Sequence, residues 1–158
     1  MVVISKTNLS SSIWSNFRDT IYTDVFGTTV TDSHSVAHTV RRITNAFPDT
    51  QIDEASTYPI IVVSSPNLST DIFTMGKTQV EGTIDIDIYA NGSEAAEKFM
   101  DKILDSIETS KGDLADNNIH SVQLDSIDSD NVTRGQIKIH VRRATFRFVT
   151  RYTKTRGH

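Results

Sequence analysis

TQVEGTIDIDIYA, residues 78–90, is the stretch on which the fold turns. Val80, Ile84, Ile86 and Ile88 occupy even positions, while Gln79, Glu81, Thr83, Asp85, Asp87 and Tyr89 occupy odd ones. Side chains alternate across a strand, so this pattern predicts a β-strand with one face in a core and the other in water or against a partner. Upstream, Tyr58-Pro59-Ile60-Ile61-Val62-Val63 is a short unbroken apolar run between turn residues, closed by Pro66-Asn67. Such a run predicts a central strand buried on both faces.

Further upstream, Leu9, Ile13, Phe17, Ile21 and Val25 recur every four residues, with Trp14 and Tyr22 widening the stripe. The spacing predicts an amphipathic helix of about four turns, capped by Asn8 or Ser10 and ended by Gly27. Residues 28–35 are polar and read as a loop. In 36–47, Val36, Val40, Ile43 and Phe47 fit a helix, but the run Thr39–Thr44 is rich in β-branched residues, and extended structure is favoured. Pro48-Asp49 ends that element either way.

Downstream, Asn91-Gly92-Ser93-Glu94 resembles a capping box, with Ser93 a rival cap. Ala96, Phe99, Met100, Ile103, Leu104 and Ile107 form the apolar stripe of the helix that follows, and Gly112 is its expected stop. Ile119, Val122 and Leu124 suggest a further strand, and Asp125–Asn131 a turn-rich acidic connection. Gln136–Thr153 reads as a long strand with a fault: its apolar residues are odd up to Val141 (Ile137, Ile139) and even from Ala144 onward (Phe146, Phe148, Tyr152). The switch predicts a β-bulge or bend near Arg142-Arg143, or a strand whose second half packs on another subunit. The expected architecture is α+β: a mostly antiparallel sheet of about four to five strands, with two helices packed on one face. One domain spans residues 1–158, with residues 1–7 and 154–158 flexible.

The chain has 158 residues, enough for a core without staples, and no cysteine, which excludes disulfides and thiolate metal sites. No apolar run approaches the ~18 residues of a membrane helix, and the N-terminus lacks the pattern of a signal peptide, so folding in the cytoplasm of whatever cell makes it and no membrane partner are expected. Net charge is −4, unevenly spread. Seven of the 16 basic residues (Lys138, Arg142, Arg143, Arg147, Arg151, Lys154 and Arg156) lie beyond residue 137, where there is no acid. These make an electrostatic partner surface, or else a basic strand balancing an acidic body.

Motifs of catalysis are sparse. There is no P-loop, G-x-G-x-x-G or G-x-S-x-G, and seven scattered glycines offer no phosphate cradle. His34 and His38 are four apart, but no acid completes an H-E-x-x-H site, and no metal is expected. The Asp125–Asn131 run misses the EF-hand spacing and its closing Glu. Asp85 and Asp87 look like a carboxylate pair, but catalytic pairs need burial or a partner that separates their pKa values. His140 and the many serines suggest no triad without geometry. No catalytic residue, metal or cofactor is therefore assigned, and an enzyme is not expected. On the last strand, Arg143, Arg147 and Arg151 share one face, while Phe146, Phe148 and Tyr152 take the other. Single-strand binders place aromatics and cations on the same face, so nucleic-acid binding remains a lesser alternative.

The order of elements resembles the tail terminators and related neck or minor tail proteins of long-tailed phages and their archaeal relatives. It runs from the amphipathic helix through YPIIVV (58–63), TQVEGTIDIDIY (78–89) and the helix from Glu94 to Ile107 to GQIKIHVRR (135–143). The likeness covers roughly residues 8–153, leaving 28–56 unmatched. It implies a virion protein: a homo-oligomeric ring, usually a hexamer, that caps the tail tube and offers the head a docking face, with another neck or head-completion adaptor as the alternative. The implied partners are the tail tube protein and a head-completion or connector protein, with DNA passing through without specific binding. Arg142, Arg143, Arg147, Arg151, Lys154 and Arg156 become candidate interface residues, and Asp85 and Asp87 candidate lumen-facing acids that would repel DNA.

Overall fold

The structure, a computed structural model, describes residue 4 and residues 7–46, 58–74, 77–134 and 136–153. The expectations at Phe47, Pro48-Asp49 and 154–158 lie outside these, as do most of those at 1–7. In chain order the elements are α1 (Leu9–Val25), β1 (Thr29–Thr31), β2 (Ala37–Thr39), β3 (Ile43–Thr44), β4 (Ile60–Val63), β5 (Asn67–Thr74), β6 (Lys77–Ala90), α2 (Ser93–Thr109), α3 (Lys111–Asp116), β7 (His120–Arg134) and β8 (Ile137–Thr153). The α+β class holds, with the strand and helix counts both above expectation: six strands form the main sheet, β1 and β2 a separate hairpin, and there are three helices among the described residues.

The main sheet runs β3-β4-β6-β8-β7, antiparallel except for the parallel β3–β4 pair. One flank of the long β6 is shared. β4 pairs with its C-terminal end (Ile60↔Tyr89 to Val63↔Ile86), and β5 pairs with its N-terminal half (Asn67↔Thr83 onward). The other flank belongs wholly to β8, from Ala90↔His140 to Lys77↔Thr153.

Alternation sorts the side chains of β6 as expected. Ile84, Ile86 and Ile88 face α1 and α2, joined by Ala144, Phe146 and Phe148 of β8 and by Ile61 and Val63 of β4; Val80 is buried on the same face of the strand. Ile13, Phe17, Ile21 and Val25 of α1 and Ala96, Phe99, Ile103 and Ile107 of α2 close this core. Removing such a side chain from water contributes roughly 1.5–3 kcal/mol each, which is why the apolar helical stripes dock here. Phe17 and Phe148 meet with ring centroids 5.6 Å apart. Phe148 lies across Gly82, where an added Cβ would come within 2.6 Å of its ring. The strand therefore needs glycine at that position for space.

The continuous β6–β8 register excludes the bulge expected at Arg142-Arg143. β8 keeps strict alternation throughout but buries opposite faces in its two halves. Ile139 and Val141 join Tyr58, Ile60 and Val62 in a second apolar cluster on the far side of the sheet, whereas Ala144, Phe146 and Phe148 enter this chain's own main core. The irregularities instead fall on its partner β7, between His120 and Gln123 and between Leu124 and Ser126, with Ser121 at φ 56°.

Other expectations are corrected. Asp125–Asn131 is not a connection but the middle of β7, with Ser126–Asn131 paired residue by residue with β8 and Asp125 at the irregularity. Gly112 lies inside α3, and α2 is capped at Ser110. Gly92, not Asn91, takes the N-cap position of α2, and Glu94 reaches away to the Ser33 amide (2.9 Å). Tyr22 points outward and stacks on Phe26 at 4.5 Å, so it does not widen the buried stripe of α1. The favoured extended reading of 36–47 stands in β2 and β3, and 28–35, read as a loop, contains β1.

Candidate functional site

The side chains on the helix-free face of the sheet are held in cross-strand pairs. Asp87 and Arg143 are opposite one another in the β6–β8 register, and the guanidinium donates from Nε and Nη2 to the two carboxylate oxygens, both at 2.9 Å. The Tyr89 hydroxyl also donates to Asp87, at 3.4 Å. The Asp87 side chain is only 2% exposed. Its hydrogen bonds and charge push the Arg143 pKa above the ordinary guanidinium value. Next along the ladder, the Thr145 hydroxyl donates to Asp85 at 2.7 Å. Arg147 pairs with Asp125 of β7 at 3.2 Å, and Arg151 donates to the Gln79 carbonyl at 3.3 and 3.2 Å.

The structure thus brings Arg143, Arg147 and Arg151 together on one face, as read from the sequence, with Phe146 and Phe148 on the other. The Tyr152 side chain and residues Lys154 and Arg156 lie outside the described positions. Arg142 faces the helices and pairs with Glu97 of α2. Asp87 is locked beneath Arg143 and presents no free charge, which corrects its reading as an exposed acid; Asp85 keeps 29% of its side chain in water.

The two histidines do not share a helix face. His34 sits exposed in the β1–β2 turn, and His38 is buried on β2 with Nε2 3.1 Å from Asp32. Asp32 accepts the backbone amides of Val36 (3.0 Å) and His34 (2.9 Å), and these bonds, Val36 first, lower its pKa. The Ser33 amide lowers that of Glu94 in the same way. Lys98 donates to the Thr31 carbonyl at 2.7 Å, so the hairpin is clasped to α2. Among the described residues no three His, Asp or Glu side chains converge as metal ligands would. No described helix is long and apolar enough to cross a membrane.

A depression of about 510 Å³ on the sheet is lined by Asn67, Ser69, Glu81, Thr83, Gln123 and Arg147, among others. Its ionisable lining residues are Glu81 and Arg147. Leu68, Phe148 and Val149 add apolar surface to the same lining.

Sequence reasoning missed two exposed apolar patches. Leu124 and Ile127 on β7 are 45% and 46% exposed, and Tyr22 and Phe26 at the end of α1 are 43% and 38% exposed. The clearest available signal was apolar residues set inside the acidic run that was read as a connection. Compared with protein-family models and with curated proteins, the sequence matches none.

Proposed function

We propose that this chain is a structural virion protein, a tail terminator whose copies form a ring that caps the tail tube and provides the face to which the head docks. The order of elements carries the reading: a helix, a doubly buried strand, a two-faced strand, a sheet-packing helix and a long last strand stand in the order that the resemblance implies. The surface chemistry supports it. Arg143 and Arg147 of β8 are engaged in cross-strand pairing on a face without the core aromatics, an arrangement suited to rigidity and protein contact rather than base stacking. A cyclic assembly requires two different surfaces of one chain to meet, and the two edges of this sheet end in different strands, β3 and β7. Asp85, with 29% of its side chain exposed, is the remaining lumen candidate of the original pair.

Size-exclusion chromatography with light scattering tests the ring, first alone and then with tail tube protein. A closed oligomer, usually a hexamer, that binds the tube end is expected. A strict monomer at hundreds of micromolar, with or without tube, would sink the proposal. Electron microscopy of virions separates a terminator, seated on the last tube tier, from a neck or head-completion adaptor on the portal side.

A further inference from the structure

The β6–β8 ladder stops at Ala90↔His140, and α2 begins at Ser93. Asn91 and Gly92 make the turn between them, both partly exposed. Of the chain's eight asparagines, Asn91 alone is followed by glycine. The Asn91 amide oxygen is buried and has no hydrogen-bond partner among the described residues. A buried acceptor left unpaired costs free energy, so no hydrogen bond to that oxygen holds the side chain in its rotamer. The Gly92 carbonyl accepts the Ala96 amide at 3.0 Å, but no backbone bond among the described residues engages the Gly92 N–H. Gly92 has φ −137°, and an added Cβ would meet nothing nearer than the His38 ring, 3.7 Å away. Neither space nor backbone conformation therefore requires glycine here. What glycine leaves is an amide nitrogen with no side chain beside it, next to an asparagine whose amide oxygen is unpaired.

We propose that Asn91 is a site of self-modification, at which its side-chain amide is lost to attack by the main chain. Gly92 N gives up its proton and bonds to Asn91 Cγ; the Cγ–Nδ2 bond breaks, and ammonia leaves with that proton. The product is a cyclic imide, which water then opens. Attack at Cγ gives aspartate in the ordinary main chain. Attack at the Asn91 main-chain carbonyl gives isoaspartate, with the main chain rerouted through Cβ and Cγ. One water is consumed, one ammonia is released, and one carboxylate is gained, with no oxidant or reductant. Asparagine is among the thermally labile residues, and a following glycine leaves the path of attack unobstructed.

The two products differ in consequence. Aspartate sets a negative charge at the N-terminal end of α2, which the helix dipole favours. Isoaspartate adds a methylene to the main chain between β6 and α2. The β1–β2 hairpin is fastened at this end of α2, by Glu94 to the Ser33 amide, by Lys98 to the Thr31 carbonyl and by His38 beside Gly92. Isoaspartate therefore loosens the hairpin while the main sheet keeps its pairing. The inference is independent of the ring reading.

The folded wild-type chain is held for days in mildly alkaline buffer, which favours the deprotonated amide, and mapped by mass spectrometry that distinguishes isoaspartate. Conversion at Asn91 is expected ahead of the other seven asparagines, with ammonia released in step and a more acidic band on isoelectric focusing. Gly92→Ala has room in the fold, and should keep the wild-type circular dichroism spectrum while losing most of the conversion, because its methyl crowds the attacking nitrogen. Amide exchange in β1 and β2 should be faster in the aged wild type than in the fresh chain, and unchanged in Asn91→Asp. The proposal is overturned if Asn91 of the folded chain converts no faster than the other asparagines, converts only in urea, or converts equally fast in Gly92→Ala. Conversion with unchanged exchange in β1 and β2 would overturn the hairpin consequence alone.

Discussion

On the helix side of the sheet, Phe17 and Phe148 meet among side chains with almost no exposure. On the other side, Asp87 and Arg143 meet through two 2.9 Å hydrogen bonds at a surface where the arginine is half in water. The apolar side rewards burial without caring which apolar residue faces which. Sliding β8 by two residues along β6 would leave Ala144, Phe146 and Phe148 facing the helices. The same slide would part Asp87 from Arg143, Asp85 from Thr145 and Gln79 from Arg151. The core thus selects the face, and the polar ladder selects the register.

The comparison is broken most severely from the core. Phe17→Ala should cost about 3–5 kcal/mol, because a large side chain is removed and a cavity remains between α1 and the sheet. Urea denaturation measures it. On the other face, Arg143→Ala should cost about 2–3 kcal/mol, since the buried Asp87 carboxylate loses its counter-charge; the arginine's own exposure keeps the figure at the low end. Asp87→Ala should cost less, about 1 kcal/mol, because the arginine left behind is free to hydrate. An Asp87→Ala more damaging than Arg143→Ala would refute this account of the pair. Gly82→Ala probes where the layers touch most closely, and should cost about 1–3 kcal/mol as Phe148 and Leu68 are displaced.

Acidity probes the periphery. Asp32 and Glu94 titrate below their ordinary values of 3.8 and 4.5, so their contribution is present above that range and is lost as pH falls through their folded values. Amide exchange in β1 and β2 should then rise while β6 stays protected. His140 titrates below 6.5 because burial, then the charges of Lys138 and Arg142, disfavours its protonated form. Its contribution is likewise present above 6.5 and lost as pH falls, and His140→Gln should flatten the stability profile between pH 5 and 7. The smallest effect is expected for Arg151→Ala, within ~0.5 kcal/mol, since Arg151 is exposed and donates to the neutral side-chain amide of Gln79.

Much of this was legible in the sequence, for identifiable reasons. β4, β6, α1 and α2 each carry a complete periodic signal, and each lies where the period placed it. β7 was half lost because an edge strand guarded by Asp125, Asp128 and Asp130 has the local composition of a turn; only its pairing with β8 makes it a strand. The phase switch in β8 was real, but a bulge is only one way to accommodate it. A strand covered by helices over one half and by a second apolar cluster over the other needs no extra residue, and period counting alone does not reveal what covers each face. The same limit hid Asp87: its place on the polar face was readable, its burial was not, because that depends on Arg143 arriving from 56 residues away. Of the exposed patches, Tyr22 and Leu124 stood in patterns indistinguishable from core, and Ile127 lay in the acidic run that reads as a connection.

β8 is the last described strand along the chain, yet it sits between β6 and β7. A nascent polypeptide can assemble β4, β5, β6 and the helices early, but one edge of β6 stays open until β8 emerges and zips in. Synthesis must therefore hold two long unsatisfied borders, on β6 and β7, until β8 has left the ribosome. Crowded polysomes would be the setting in which mispairing between neighbouring chains competes, and the charges spaced along both borders give each newborn chain a means of repelling the wrong partner.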